Sequence, residues 1–235
     1  MSRPTVLFPL FAELTALDGV GPKTARLLAR MEIAHPADLV LTLPTSGTDR
    51  RLRASIREAQ LPEVVTVEVE IGLHQPPTMR GRPYRVHVRD ALTEFQLVFF
   101  HPHPDWLRRT LPAGQRRIVS GRVELFDGIA QMPHPDHILP PGGEATLPAY
   151  EPVYPLTQGL SLRTMTRAVQ DALARVPDLP EWIEPSVLAR RRWPAFRAAL
   201  AAAHAPAGPA DLAPASPARE RLAYDELLSH QMTLA

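Results

Sequence analysis

Three segments in the middle of the chain alternate apolar and polar residues with a period of two, the spacing of a strand that turns one face to a core. Val65, Val67, Val69 and Ile71 alternate with Thr66, Glu68 and Glu70. Tyr84, Val86 and Val88 alternate with Arg85, His87 and Arg89, and Phe95, Leu97 and Phe99 alternate with Gln96, Val98 and Phe100. Two more strands are expected around Asp127-Gly128, a dipeptide that favours a two-residue hairpin, the first of them carrying Ile118-Val119-Ser120-Gly121-Arg122-Val123.

Five short strands with a helix or loop inserted between the third and fourth is the layout of an OB-fold, a small barrel whose open face and loops take single strands of nucleic acid. The expected fold class is therefore α+β, a five-stranded OB-fold β-barrel flanked by N-terminal and C-terminal helical segments. On this parse Phe95, Leu97 and Phe99 face the core, whereas Phe100 points the other way. It is either displayed to solvent or buried under the turn that runs from Pro102 to Trp106. Strands that show aromatics beside arginines suit unstacked bases, because each base offers a flat face and each nucleotide a phosphate.

The flanks read as helices. Leu7, Leu10, Phe11, Leu14 and Leu17 make one helical face, Lys23 to Met31 follows, and Pro36 to Leu43 makes a third short helix. Beyond Leu139, the run Pro140-Pro141-Gly142-Gly143 marks a linker. Ser161 is the expected N-cap of a helix with its stripe at Leu162, Met165, Val169, Leu173 and Val176. A further helix is expected from about Ser186 to Ala203, kinked or restarted at Pro194. Ala205 to Pro217 reads as a flexible or extended connector, and Arg219 to Leu234 as a last helix. The expected organisation is 1–60 helical, 61–140 barrel, and 141–235 a helical linker region.

Between the first two helices lies Leu17-Asp18-Gly19-Val20-Gly21-Pro22-Lys23. Such a loop belongs to a helix-hairpin-helix: glycines allow the tight turn, and the new helix N-terminus attracts phosphate, with Gly19, Gly21 and Lys23 as the contacts. A plain tight turn between packed helices explains the same residues. It is not a Walker A loop, since Pro22 precedes Lys23 and no Gly-Lys-Ser/Thr is present.

A formal net charge of +1 excludes a uniformly basic coat, so phosphate binding has to come from local clusters. Arginines cluster at 50, 51, 53 and 57; at 80, 82, 85 and 89; at 108, 109, 116, 117 and 122; and at 190 to 192. Arginine grips phosphate and stacks on bases, although GC-rich coding also favours Arg over Lys. Cysteine is absent, which fits a reducing cytoplasm and rules out disulfides and thiolate metal sites. No apolar run approaches the roughly 20 residues of a membrane span. His101 and His103 with His134 and His137 have spacings seen in imidazole metal sites, but no third partner is evident and no metal is expected.

Taken in order, several motifs resemble the N-terminal part of the RecG family of ATP-dependent DNA helicases. They are Leu17-Asp18-Gly19-Val20-Gly21; Asp38-Leu39 with Leu43-Pro44 and Asp49-Arg50; Phe99-Phe100; and Gly114 with Ser120-Gly121-Arg122-Val123. Met132 with His134-Pro135, Pro152-Val153-Tyr154-Pro155-Leu156 with Gly159-Leu160-Ser161, and Arg221-Leu222-Ala223-Tyr224 with Glu226-Leu227-Leu228 complete the series. The resemblance covers essentially the whole chain. It implies that the OB-fold is a wedge domain for branched DNA, such as stalled forks and Holliday junctions, in recombination and repair. An ATP- and magnesium-dependent motor would follow the last helix.

No motor motif lies in these residues, so the chain alone is expected to bind no cofactor and hydrolyse no ATP. The resemblance assigns Phe100 to stacking at the branch, and Trp106 to a second aromatic position, for which the family often has a residue where Pro104 stands here. Departures fall at Gly47, where a Tyr is usual, and in the Thr78 to Arg82 loop, which lacks an aromatic. The DNA-binding set is expected to be Phe100, Trp106, Arg80, Arg82, Arg85, Arg108, Arg116 and Arg122. Expected partners are branched DNA and the acidic tail of single-stranded-DNA-binding protein, with the chain a cytoplasmic monomer and no membrane involved. A stand-alone single-strand-binding OB-fold and a protein-interaction module are the alternatives.

Overall fold

The computed structural model describes residues 3–79 and 81–234. In chain order the elements begin with α1 (Pro22–Ala29), α2 (Pro36–Leu41), β1 (Ser46–Asp49), β2 (Leu52–Arg53), β3 (Glu63–Gln75), β4 (Tyr84–Arg89), β5 (Glu94–Phe99) and α3 (Pro104–Thr110). They continue with β6 (Arg116–Phe126), β7 (Ile129–Pro133), β8 (His137–Leu139), β9 (Tyr150–Val153), α4 (Leu162–Ala174), α5 (Pro185–Arg191), α6 (Phe196–His204) and α7 (Pro217–Leu234). Two compact units result, one from Thr48–Glu151 and the other from Met1–Gly47 together with Pro152–Ala235.

The second of these units brings residues of the two helical flanks expected at 1–60 and 141–235 into one core. Its core joins Leu10, Leu14, Leu17, Leu28 and Leu39 from the N-terminal part to Met165, Val169, Leu200 and Leu222 from the C-terminal part. The physical reason is size: α1 and α2 are too short to bury their apolar faces alone, and the stripe Met165, Ala168, Val169 and Ala172 of α4 covers them. Ser161 caps α4 as expected, its Oγ accepting from the Thr164 N–H at 3.1 Å. The Tyr154 hydroxyl meets buried His204 Nδ1 at 2.9 Å, and His204 Nε2 lies 2.9 Å from the Val40 carbonyl. Burial raises the Tyr154 pKa and lowers that of His204, so both stay neutral inside the core.

Two helical expectations change, and a third is met in one of its two forms. Leu7 to Leu17 is two 3-10 turns, Thr5–Phe11 and Leu14–Ala16, because Pro9 lies inside the first and removes the donor a regular helix needs. The break expected at Pro194 between Ser186 and Ala203 is a restart: α5 and α6 are separate helices, parted at Arg192, whose φ is 58°, and at Pro194. The Ala205 to Pro217 connector is ordered by a 3-10 turn at Pro209–Leu212 and by buried Ser216, whose Oγ donates to the Asp211 carbonyl at 3.0 Å. Arg221 on α7 is fully buried; it grips Glu181 at 3.0 Å through both terminal nitrogens and Asp225 at 2.9 Å through Nε.

The Thr48–Glu151 unit is wider than the 61–140 expected. Its sheet runs β2-β3-β4-β5-β7-β6-β8, and β3 pairs with β6 as well as with β4. All five expected strands are present. Asp127 and Gly128, with φ of 50° and 77°, make the hairpin turn between β6 and β7, where a positive φ at both positions matches the strand twist. Gly121 lets β7 come close, since a Cβ there would meet Met132 and Pro135 at 3.1 Å. Helix α3 drives Leu107 and Leu111 into the core formed by Val65, Val67, Tyr84, Val86, Leu97 and Met132. Each such leucine contributes about 1.5–3 kcal/mol by leaving water.

The extension beyond 61–140 is explained by Arg50. It is 6% exposed, and its guanidinium reaches Glu151 at 2.7 Å, Asp136 at 2.9 Å and Ser120 Oγ at 2.9 Å, while Ser120 Oγ lies 2.7 Å from Thr66 Oγ1. A buried charge requires such partners, so the residues on either side of the sheet strands are fixed to them.

Candidate nucleic-acid interface

Strand β5 alternates as its sequence requires and then ends on two phenylalanines of opposite fate. Phe99 is 5% exposed in the core, and Phe100 is 50% exposed. Phe100 is thus displayed, not buried under the following turn. Arg85 pairs with Val98 across β4 and β5, and paired residues turn their side chains to the same side; Val98 is buried there and Arg85 half-buried. Arg82, one turn before β4, is exposed.

Around Phe100 the chain turns sharply. His101 has a φ of 53°, and α3 starts at Pro104. From the end of β7, His134 reaches over. Its N–H donates to the Val98 carbonyl at 2.9 Å, its Nε2 accepts from the Phe100 N–H at 3.1 Å, and its ring stacks on Phe100 at 5.5 Å between centroids and 29° between planes. Trp106 sits in the first turns of α3, not at the end of an irregular turn, and is 44% exposed because Leu107 takes the inward position. Among the described residues Trp106 forms no aromatic pair.

The arginines divide. Arg109 and Arg122 are exposed and form no ion pair among the described residues. Arg108 is exposed and only loosely paired with Asp105, at 3.8 Å. Arg116 lies in a different place, a cleft of about 440 Å³ lined by Arg53, Glu68, Glu70, Arg89 and Asp90. There it faces Glu68 at 3.5 Å, and Arg89 faces Glu70 at 3.0 Å. Arg116 and Arg122 are six residues apart on β6, roughly 20 Å. Arg117 is structural, its Nε donating to the Thr110 carbonyl at 2.9 Å.

Three of the first arginine cluster are also spoken for: Arg50 is buried, Arg51 pairs with Asp49, and Arg53 pairs with Glu63 at 2.5 Å, while Arg57 is exposed. Arg80 lies outside the described residues.

The Asp18 to Lys23 loop is held against α4. Arg167 donates to both Asp18 carboxylate oxygens at 2.7 and 2.8 Å, and Asp171 accepts from the Asp18 N–H at 2.8 Å. A Cβ on Gly19 would meet Arg167 at 3.2 Å. Gly19 therefore packs on a side chain, whereas Gly21 and Lys23 are exposed at the start of α1. The element before the loop is a 3-10 turn, so only one side of the expected hairpin is an α-helix. Among the described residues no group of three or more His, Cys, Asp or Glu is placed to hold a metal.

The residues that sequence reasoning left unassigned lie at the β6–β7 hairpin tip, where Leu125, Phe126 and Ile129 are 64%, 57% and 47% exposed. Their position beside Asp127-Gly128 was the available signal, because residues flanking a two-residue turn have few neighbours to cover them.

A sheet flanked by a displayed aromatic, with arginines nearby that form no ion pair among the described residues, is an arrangement suited to nucleic acid, and the comparisons give the family. Residues 13–176 match the RecG wedge domain model, and the chain belongs to that family. It is 28% identical to the ATP-dependent DNA helicase RecG of Acidithiobacillus ferridurans, over 96% of this chain and 32% of that protein. To the ATP-dependent DNA helicase RecG of Bacillus subtilis it is 27% identical, over 93% of this chain and 31% of that protein. A solved structure of RecG bound to a three-way DNA junction superposes with a TM-score of 0.75 and 25% identity, covering 93% of this chain and 30% of that one. The chain thus spans about a third of the length of the relatives it matches. No helix among the described residues is long and apolar enough to cross a membrane.

Proposed function

We propose that this chain is the branched-DNA-binding wedge region of a RecG-type ATP-dependent helicase, an enzyme that remodels stalled forks and Holliday junctions in recombination and repair. The observation that carries the reading is Phe100, a half-exposed aromatic next to its buried twin Phe99, on a framework similar to that of a RecG bound to a three-way junction. We read the middle of the chain as an OB-fold barrel. In support, β3, β4, β5, β7 and β6 pair in succession and β6 returns to β3, with β5 and β7 parallel and α3 between β5 and β6.

Phe100 would stack on a base where pairing is interrupted, while Arg82, Arg85, Arg109 and Arg122 attract the separating backbones. Stacking is worth about 1–3 kcal/mol per base against roughly 1.4 kcal/mol per step of duplex stack. The wedge can hold a branch open but cannot advance it, so repeated advance requires ATP-driven translocation. The Gly19 to Lys23 loop does not fit a triphosphate, since Pro22 lacks an N–H and the loop is packed on Arg167. ATP and magnesium belong to the motor of such a helicase, and this chain alone is expected to hydrolyse none, with or without DNA. The exposed arginines also suit the acidic tail of single-stranded-DNA-binding protein as a competing occupant. The protein is read as a cytoplasmic monomer.

The test is equilibrium binding, by fluorescence anisotropy, to a fork, a linear duplex and a single strand of equal length. Tighter binding to the fork, weakening steeply with salt, is the expected result. Equal affinity for fork and single strand would indicate a general single-strand module, and a flat salt response a protein-interaction role.

A further inference from the structure

We infer that His134 is the positioning residue for Phe100, fixing that ring as a one-sided platform for a base; the inference rests on the wedge reading above. Strand β7 runs parallel to β5, with Leu97 opposite Met132 and Val98 opposite Pro133, and it ends there. The backbone then enters the left-handed region at His134, with a φ of 43°, and runs into Pro135. Backbone in that region is uncommon for a residue other than glycine, and here it follows the last paired residue of β7. The result is that the His134 main chain still bonds Val98, while its side chain takes over where the strand stops. The imidazole accepts the Phe100 N–H at 3.1 Å, a donor that β7 no longer satisfies with a carbonyl.

One side chain therefore does two things. Its nitrogen fixes the Phe100 backbone, and its ring covers one face of the phenyl at 5.5 Å and 29°. It is anchored in turn by an edge contact with buried Phe99, at 6.0 Å and 79°. A phenyl backed on one side and half exposed has its other face free for a base, and a ring already held loses less freedom when the base arrives. The histidine acts through Phe100 and touches no nucleotide itself.

The test compares fork and linear-duplex affinity for the 235-residue chain and four variants, Phe100→Ala, His134→Ala, His134→Gln and the double variant Phe100→Ala/His134→Ala. His134→Ala should lower the fork-over-duplex preference about three- to tenfold, part of the loss expected from removing one stacked base. The double variant should be no worse than Phe100→Ala. His134→Gln, which can present an acceptor to the Phe100 N–H, should recover part of the loss, a rescue that a merely structural role for the ring would not give. Additive losses in the double variant, or a full fork preference in His134→Ala alongside a loss in Phe100→Ala, would overturn the inference. A full fork preference in Phe100→Ala itself would instead overturn the wedge assignment on which the inference rests.

Discussion

Two regions of the Thr48–Glu151 unit have much the same composition and opposite electrostatics. In the segment 49–53 and the adjoining cleft, each arginine has a carboxylate: Arg50 with Asp136 and Glu151, Arg51 with Asp49, Arg53 with Glu63, Arg89 with Glu70, Arg116 with Glu68. Around the end of β5, Arg82, Arg109 and Arg122 have none among the described residues, and the aromatics Phe100 and Trp106 stand out into solvent. Counting arginines along the sequence makes the two regions equal. What separates them is which arginines the fold has already neutralised, and only the second kind has charge left for a phosphate.

The largest effect that separates the regions is on stability. Removing the Arg50 guanidinium would leave Glu151 with a side chain 15% exposed and no cation except what His137 supplies at 3.5 Å. Arg50→Ala should cost about 3 kcal/mol, near the low end for breaking a buried pair because Asp136 is half in water. Chemical denaturation reads the cost; an unchanged midpoint would remove the distinction between clamp and display.

The same cluster has an acid signature. His137 hydrogen bonding, opposed by burial and aided by Arg50, holds Glu151 below its ordinary value of 4.5. A carboxylate with a depressed folded pKa contributes stability that is present above 4.5 and lost as pH falls through the folded value. Melting followed between pH 6 and pH 3 should show that loss, and Arg50→Ala should reduce it.

The strands were legible because each turns an apolar face to the core, which writes a period of two into the sequence. That period put Phe99 and Phe100 on opposite faces, but only the fold shows that the turn after Phe100 leaves it uncovered. The helical flanks were less legible, because their partners are more than a hundred residues away: Leu14 and Met165 share one core, and no local pattern records it. Charge pairing was least legible. Arg50 meets Glu151 across 101 positions and Glu70 meets Arg89 across 19, so a cluster of arginines in sequence does not become a patch in space. The His134 contact was hidden for a similar reason, although prolines on both sides of a histidine already mark a strand end that presents its side chain.

The next effect is on selectivity. Phe100→Ala should cost about 1–3 kcal/mol on a fork and much less on a linear duplex, where no base is unstacked. Trp106→Ala sharpens the comparison, because Trp106 stands on α3 with no ring behind it among the described residues and should lose less than Phe100. An equal loss from both would make the display region a two-aromatic platform.

The smallest effect decides whether the cleft belongs to the interface at all. Phosphate contacts position DNA without discriminating its form, so Arg122→Ala should weaken fork and duplex alike and lower the slope of log K against log salt by about 0.9, the share of one phosphate. Arg116 differs because its guanidinium already faces Glu68 at 3.5 Å, so a phosphate would have to compete with that carboxylate. Arg116→Ala should therefore leave the slope unchanged while its unfolding free energy changes by less than about 1 kcal/mol, as for an exposed ion pair. Titrations of both variants between low and moderate salt read the difference. If the two slopes fall together, the cleft gives up its internal pairs to DNA, and the division between neutralised and displayed arginines fails at the place where it is most explicit.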